Sequence, residues 1–196
     1  MQNIIKVNTP NFFEKIIENK NIVAWKDLDK MLFEKTDISI KEKLRKYILE
    51  NEQNNRCVYC ESKINYLNDK SHIEHIKPKD KYPKEFKDYN NLVVSCNNKN
   101  TCGIYKGNNY KDFFINPILE NPEEYLTYDL MTGEIISRKI DINKKEKADY
   151  TIEVLNLNFS KLKDARARFI LEADKMKEYL EYLDEFPSLI KELNNI

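Results

Sequence analysis

The chain has 196 residues, of which 41% are hydrophobic and 34% charged, with a formal net charge of zero; this composition excludes fibrous, fully disordered and membrane-spanning proteins. No apolar run approaches the roughly 20 residues that cross a bilayer, and the N-terminal sequence lacks the features of a signal peptide, so we expect a cytoplasmic protein without a membrane partner. The zero net charge also argues against a protein that coats nucleic acid through bulk positive charge.

The first predicted region, residues 1–55, is helical after an extended start. Ser39 is a predicted N-cap, and the apolar residues of the following helix are spaced to line one face: Ile40, Leu44 and Ile48. The polar run "ENEQNN" then ends this helix.

The second predicted region, residues 56–115, has little periodicity and many turn-forming Asn and Asp residues, with "NNLVVSC" as a predicted short strand. From Lys63 to Lys111 there are ten Lys against three Asp and two Glu. This local excess of positive charge either serves the chemistry of the region or solvates a loop-rich surface.

The third predicted region, residues 116–196, begins with a hairpin around Thr132 and Gly133 and continues in helices. From Ser160 to a stop at Pro187, apolar residues follow helical spacing: Leu162, Ala165, Phe169, Ala173, Met176, Leu180 and Leu183. This stripe is expected to pack in the core, with a partner-binding surface as the alternative. No repeat or long linker divides the chain, so the three regions are expected to form one compact unit.

Four cysteines lie in the second region, as a "CVYC" pair and a looser "CNNKNTC" pair: Cys57, Cys60, Cys96 and Cys102. In a reducing compartment, paired cysteines indicate metal or redox chemistry before disulfides. Four thiolates satisfy a structural zinc ion. A thioredoxin-like role would leave the second pair unexplained, and free buried thiols are the remaining alternative.

Both histidines of the chain lie in "SHIEHIKPKD", with Glu74 between His72 and His75. A lone histidine is more often packed or exposed than catalytic. Here His75 stands beside a carboxylate, between the two cysteine pairs and in the most basic part of the chain. Imidazole can take a proton from water near neutral pH, so His75 is the predicted general base.

The segments "CVYC", "IEHIKPK", "NNLVVSC" and "CGIYKGN" resemble, in order and approximate spacing, zinc-stapled HNH endonucleases. The segments "IEHIKPKDKYP" and "TIEVLNLNFSKLKDARARF" further resemble the PtuB family, the HNH nuclease subunits of Septu-type anti-phage systems that also occur beside some retrons. The resemblance extends from "PNFFEK" to Phe169. It implies an α+β, mainly helical fold in which a ββα-metal (HNH, or His-Me) finger at 56–115 is embedded between N- and C-terminal helices.

The resemblance also implies roles for individual residues. Glu74 would bind a catalytic Mg²⁺ or Mn²⁺, for which a hard carboxylate oxygen is suited. Asn91 matches the middle asparagine of HNH and would orient the base, with Asn90 as the neighbouring contender and an ordinary turn asparagine as the alternative. Lys106 and Lys77 are predicted nucleic-acid contacts, although a solvated surface lysine is equally expected at Lys106.

The chain departs from the family at one position. Many members have a His or Asn directly after the last cysteine pair as a further metal ligand, where this chain has Gly103. Asn108, His72 or an asparagine of "CNNKN" could replace that ligand, or phosphate and water could complete the shell.

The predicted function is therefore a metal-dependent endonuclease that hydrolyses DNA and serves as the effector of an anti-phage complex. The resemblance implies a partner ATPase of the ABC/SMC-like type (PtuA-like) and, where a retron is present, its reverse transcriptase with its nucleic acid. The alternative from another class is a non-catalytic, zinc-stapled nucleic-acid-binding or adaptor module, which Gly103 favours.

Overall fold

A computed structural model describes residues 1–34, 36–67, 70–139, 141–175 and 185–195. Within these ranges the chain forms six α-helices and two antiparallel two-stranded sheets, which confirms the predicted α+β class. No helix in the described ranges is long and apolar enough to cross a membrane.

The N-terminal part contributes helices α1 (Asn11–Glu18) and α2 (Ile40–Asn51). Ser39 caps α2 as predicted, because its hydroxyl accepts a hydrogen bond from the backbone N–H of Glu42 at 3.1 Å. The predicted apolar face of α2 is buried, with Leu44 and Ile48 fully covered.

The first sheet pairs strand β1 (Ser71–His75) with strand β2 (Leu92–Cys96), and the short helix α3 (Cys102–Lys106) packs against β2. In the register, Glu74 lies opposite Val93 and His75 lies opposite Leu92. Because side chains alternate along a strand, His72 and Glu74 share one face of the sheet and His75 points to the other.

The two faces of this sheet contact different hydrophobic clusters. One cluster joins α1 and α2 to the face that carries His75, through Leu92 and Val94. The other surrounds the cysteines, includes Val93 and extends into the C-terminal part. Each cluster contains residues from more than one of the three predicted regions. The clusters therefore do not coincide with the predicted boundaries at 55 and 115, which stay a prediction.

The C-terminal part contains the predicted hairpin, as β3 (Leu126–Asp129) and β4 (Glu134–Ser137), followed by α4 (Ile142–Val154), α5 (Ser160–Lys175) and α6 (Pro187–Asn194). Gly133 closes the hairpin with a φ of +74°, and a Cβ there would lie 2.7 Å from backbone atoms of α5, so the turn needs glycine.

The predicted stripe of the C-terminal helix is only partly within the described residues. Leu162 and Ala173 are buried, whereas three of its members lie outside the described residues: Met176, Leu180 and Leu183. Pro187 differs from its predicted role as a stop, because it stands in the first turn of α6. Proline is tolerated there since the first helical N–H groups have no intrahelical partner.

Candidate metal centre and active site

The four cysteines converge as predicted, with all four Sγ atoms within 4.8 Å of one another. Cys57 and Cys60 lie in the turn between α2 and β1, Cys96 ends β2, and Cys102 begins α3. Thiolates around one tetrahedral ion with Zn–S bonds of about 2.3 Å stand about 3.8 Å apart. The donor set and its spacing therefore fit zinc, and the four cysteines could hold this ion.

Local backbone geometry positions the thiols. The N–H of Glu61 donates to the carbonyl of Cys57 at 3.0 Å, which closes the first turn, and the N–H of Cys96 points at the Cys57 sulfur at 3.4 Å. Cys102 has a φ of +60°, a conformation that costs energy for a residue with a side chain. Its N–H is held by the carbonyl of Leu155 at 2.8 Å.

The thiols of this cluster interact strongly with one another. Burial disfavours the Cys57 thiolate, but hydrogen bonds from the other three thiols hold the pKa of Cys57 below its ordinary value. The pKa of Cys60 and that of Cys102 are raised, with the charge of Cys57 among the causes. One thiolate is thus favoured and further ones are opposed, so four together require a positive ion.

The face of β1 that looks toward α3 carries a carboxylate and an imidazole. Glu74 is buried, and its Oε1 accepts from the ammonium of Lys106 at 2.8 Å and from the Tyr59 hydroxyl at 3.5 Å. Its Oε2 lies 3.4 Å from Nε2 of His72. One carboxylate oxygen is therefore anchored, while the other faces a ring nitrogen beside Gly103.

Lys106 does not lie on a solvated surface, so that alternative is wrong. The residue is 1% exposed, and its ammonium also donates to the carbonyl of His75 at 3.3 Å. It lies beside Glu74, on the face of the sheet that also carries His72, and its contact with a phosphate stays a prediction. Lys77 is half-buried and pairs with Glu85 at 3.1 Å.

His75 lies on the opposite face of β1 and is almost completely covered. Its Nε2 is 3.1 Å from the carbonyl of Phe86; because a carbonyl only accepts, Nε2 carries the proton and Nδ1 carries the lone pair. The ring of Trp25 meets the imidazole edge-on, with 4.6 Å between centroids.

Burial lowers the pKa of His75 to about 4, with Lys79 and Lys106 adding to the effect and the Phe86 carbonyl and Glu74 opposing it. The sequence led us to expect the ordinary value near 6.5. The difference arises because Trp25 and Phe86 exclude the water that would stabilise the charged ring. The imidazole is consequently neutral at neutral pH.

Asn91 is buried and joins the two ends of the segment that links β1 to β2. Its Oδ1 accepts from the N–H of Lys77 at 2.8 Å, and its Nδ2 donates to the carbonyls of Lys77 and Glu85 at 3.0 and 3.3 Å. These bonds hold the loop that presents the Phe86 carbonyl to His75. The neighbouring Asn90 is exposed.

The residues proposed to replace the missing ligand at Gly103 lie in different places. Asn108 is exposed and donates to Asp80 at 2.9 Å. Asn97, from "CNNKN", contacts the His72 ring: its Oδ1 lies 2.8 Å from Nδ1 of His72. Of these residues, His72 is the one with a ring nitrogen directed at Glu74.

Sequence reasoning did not find Trp25 or Phe86, which cover His75, nor Tyr59, which contacts Glu74. No local sequence pattern predicts the contacts of Trp25 and Phe86 with His75, since both residues lie outside the strand that carries it. The position of His72 two residues before Glu74 was a usable signal, because residues two apart on a strand share a face.

No protein-family model matches the chain. The chain is 32% identical over 107 residues to a curated protein described as Septu protein PtuB of Bacillus thuringiensis, which confirms the resemblance to PtuB stated from the sequence; the resemblance to HNH endonucleases stays a prediction. The alignment covers 54% of this chain and 37% of that protein, so the chain spans well under half of its relative's length.

Proposed function

We propose that the protein is a metal-dependent HNH-type endonuclease that hydrolyses DNA phosphodiester bonds, with β1, β2 and α3 as a ββα-metal finger held by a structural zinc ion. One observation carries this proposal: a neutral imidazole with a fixed tautomer directly follows a carboxylate that has one oxygen anchored by Lys106 and Tyr59 and the other beside the His72 ring. Hydrolysis of a phosphodiester needs an activated water and a positive charge for the developing phosphorane, and these two residues supply the means for both.

The roles of the residues follow from their contacts. Glu74 would hold a Mg²⁺ or Mn²⁺ ion, which supplies Lewis-acid stabilisation of the phosphate. The Phe86 carbonyl fixes the proton of His75 on Nε2, so Nδ1 takes the proton from the attacking water. Lys106 anchors Glu74 and offers a positive charge near the scissile phosphate.

The test is plasmid nicking with Mg²⁺ or Mn²⁺ by the wild type and by His75→Ala, with zinc content and circular dichroism measured on both. We expect the substitution to abolish cleavage while zinc and secondary structure remain. Asn90→Ala is the matched control, because it changes an exposed residue of the same loop and should cleave normally. Cleavage by His75→Ala at the wild-type rate would exclude His75 as the base.

The second candidate function is a zinc-stapled nucleic-acid-binding or adaptor module without catalysis. Gly103 favours it, because the position carries no ligand atom, and so does the coverage of His75 by Trp25. Absence of cleavage by the wild type, both alone and with an ATPase partner, would support this function instead.

The relative's name also supports a role in a Septu-type anti-phage complex, as the resemblance implies. In that complex an ABC/SMC-like ATPase (PtuA-like), with a retron reverse transcriptase where one is present, would capture nucleic acid and regulate cutting. The zero net charge of the chain fits such a division of labour. Co-purification of the protein with the product of a neighbouring ATPase gene tests this assembly; separate elution of the two would contradict it.

A further inference from the structure

Beside Gly103, a ring nitrogen of His72 and a carboxylate oxygen of Glu74 lie close enough to share one cation. We infer that His72 Nε2 and Glu74 Oε2 bind one divalent ion of the manganese class, with His72 providing the ligand that α3 lacks at Gly103. This inference rests on the proposed function for the use of the ion, whereas the site itself is defined by the contacts described below.

The tautomer of His72 is set by its neighbour. The Nδ2 group of Asn97 donates to the carbonyl of Ser71 at 3.2 Å, so the amide is oriented with Oδ1 toward the imidazole. His72 Nδ1 lies 2.8 Å from this oxygen and must be the donor, because an amide oxygen only accepts. In the neutral ring, Nε2 therefore carries a lone pair.

The lone pair on His72 Nε2 faces a lone pair on Glu74 Oε2. His72 Nε2 and Glu74 Oε2 are 3.4 Å apart, and neither has a proton to offer when the ring is neutral and the carboxylate charged. A proton on Nε2 or a metal ion satisfies both atoms. Two cis ligands at about 2.1 Å from one ion stand about 3.0–3.4 Å apart, so the present spacing admits an ion without rearrangement of the strand.

The space for the ion depends on the glycine. A Cβ at Gly103 would lie 2.8 Å from Glu74 Oε2 and 2.9 Å from His72 Nε2, closer than non-bonded atoms approach. Any larger residue would push the two ligand atoms aside. The absence of a side chain thus has a use, because it keeps both atoms directed into one place.

The supporting contacts are those of an oriented metal ligand pair. Asn97 holds the far nitrogen of the imidazole, and Lys106 and Tyr59 hold the far oxygen of the carboxylate. Such outer contacts fix ligand geometry and affect affinity by about 10- to 100-fold. A mixed nitrogen and oxygen pair favours Mn²⁺ over Mg²⁺, which prefers oxygen ligands.

The experiment titrates Mn²⁺ into the zinc-loaded protein without nucleic acid and follows the bound ion by electron paramagnetic resonance. We expect one bound ion with an electron spin-echo modulation from a directly coordinated ¹⁴N nucleus. His72→Ala should weaken Mn²⁺ binding by at least about 10-fold and abolish the ¹⁴N modulation. Asn97→Ala should weaken binding by about 10-fold and keep the modulation.

The chain has two histidines, so His75→Ala is a matched control that should retain both Mn²⁺ binding and the ¹⁴N signal. Gly103→Ala is the second test, because it leaves His72 in place and blocks the ion through its Cβ; Ile104→Ala, at an exposed neighbouring position of α3, controls for the change in the helix. Zinc content should be unchanged in all variants.

Two outcomes would overturn the inference: Mn²⁺ affinity unchanged in both His72→Ala and Gly103→Ala, or a ¹⁴N signal that disappears with His75 and not with His72. These outcomes are distinguishable from failure of the proposed function. A wild type that binds Mn²⁺ through His72 and cuts no DNA refutes the nuclease alone, whereas His72→Ala that cuts DNA and binds Mn²⁺ normally refutes the His72 ligand alone.

Discussion

At the scale of single residues, the site depends on hydrogen bonds that fix which nitrogen of each imidazole carries the proton. Phe86 does this for His75 and Asn97 does it for His72, each with one oxygen acceptor. The two imidazoles point to opposite faces of β1, so the proposed base and the proposed ion ligand lie on different sides of one strand.

The pKa of His75, lowered to about 4, makes stability depend on pH. Below about 6.5 the unfolded chain binds a proton at this ring that the folded chain does not bind until about pH 4, so stability is lost as the pH falls through this window. In buffer without added divalent ions, we expect the wild type to lose about 1 kcal/mol more than His75→Phe between pH 7.5 and 5.5.

This pH effect is measured by urea unfolding of both proteins at the two pH values. The contributions of His72 and of the zinc thiolates are common to both proteins and cancel in the difference. Equal losses in the two proteins would show that the folded state does not suppress protonation of His75.

The second prediction at this scale concerns Lys106. Its buried ammonium neutralises Glu74, and a divalent ion at this carboxylate would do the same. Lys106→Met removes the internal charge and leaves the carboxylate without a counterion, which should destabilise the protein by several kcal/mol in the absence of added metal. We expect Mn²⁺ to raise the melting temperature of this variant more than that of the wild type. An equal rise in the melting temperature of both proteins on adding Mn²⁺ would show that Lys106 and the ion do not neutralise the same carboxylate.

The convergence of the four cysteines could be predicted, since two cysteine pairs are a short-range pattern, and the shared face of His72 and Glu74 follows from alternation along a strand. The neutral state of His75 could not, because it depends on Trp25 and Phe86, which reach the ring from outside its strand. The burial of Lys106 could not be predicted from the sequence either, since a lysine in a short helix is normally exposed.

At the scale of elements, the zinc cluster ties the turn before β1, the end of β2 and the start of α3 to one point. Its four thiols come from these three segments, so loss of the ion should loosen all three together.

Cys57→Ser tests this role of the zinc. Cys57 is fully buried and its sulfur accepts the N–H of Cys96, so we expect zinc content to fall and the region around β1 and β2 to lose amide protection, because metal binding and folding are coupled in such sites. Measurement of zinc and of hydrogen exchange checks this. Unchanged protection of β1 and β2 in a zinc-free variant would contradict it.

The "LNLN" segment after α4 has a structural role that its sequence did not reveal. Leu155 accepts from the N–H of Cys102 and, with Asn156, from the hydroxyl of Thr101 at 2.9 Å. The segment therefore holds the strained start of α3 where the fourth thiol and Gly103 follow.

Thr101→Val should remove the hydroxyl that reaches this segment while keeping the shape of the side chain. Thr101 is 1% exposed, so the two carbonyls would lose a buried donor at a cost of about 1–3 kcal/mol. Denaturant unfolding measures the loss, and Thr127→Val on β3, which is half-buried, serves as the control. A loss no larger than that of the control would show that the contact does not support α3.

At the scale of the whole molecule, the sheet that carries the site separates two hydrophobic clusters. The α+β class and the hairpin at β3 and β4 could be predicted, because each follows from a periodic or turn pattern. The way in which the N-terminal helices cover one face of the sheet could not, since it is fixed by contacts between distant residues such as Trp25 and His75.

Trp25→Ala tests how strongly this coverage controls the site. Removal of the indole admits water to the imidazole, so we expect the pKa of His75 to rise from about 4 toward its ordinary value. With two histidines in the chain, proton NMR follows each ring, and His72→Gln assigns the signals. A His75 pKa that stays near 4 in Trp25→Ala would assign the effect to burial by the rest of the core and to Lys79 and Lys106 instead.

Lys106 has one further consequence. Because its ammonium already balances Glu74, we expect the polypeptide to fold without an ion at this carboxylate. If the proposed nuclease function holds, the folded protein would then be inactive until the metal ion and the nucleic-acid phosphate are both bound.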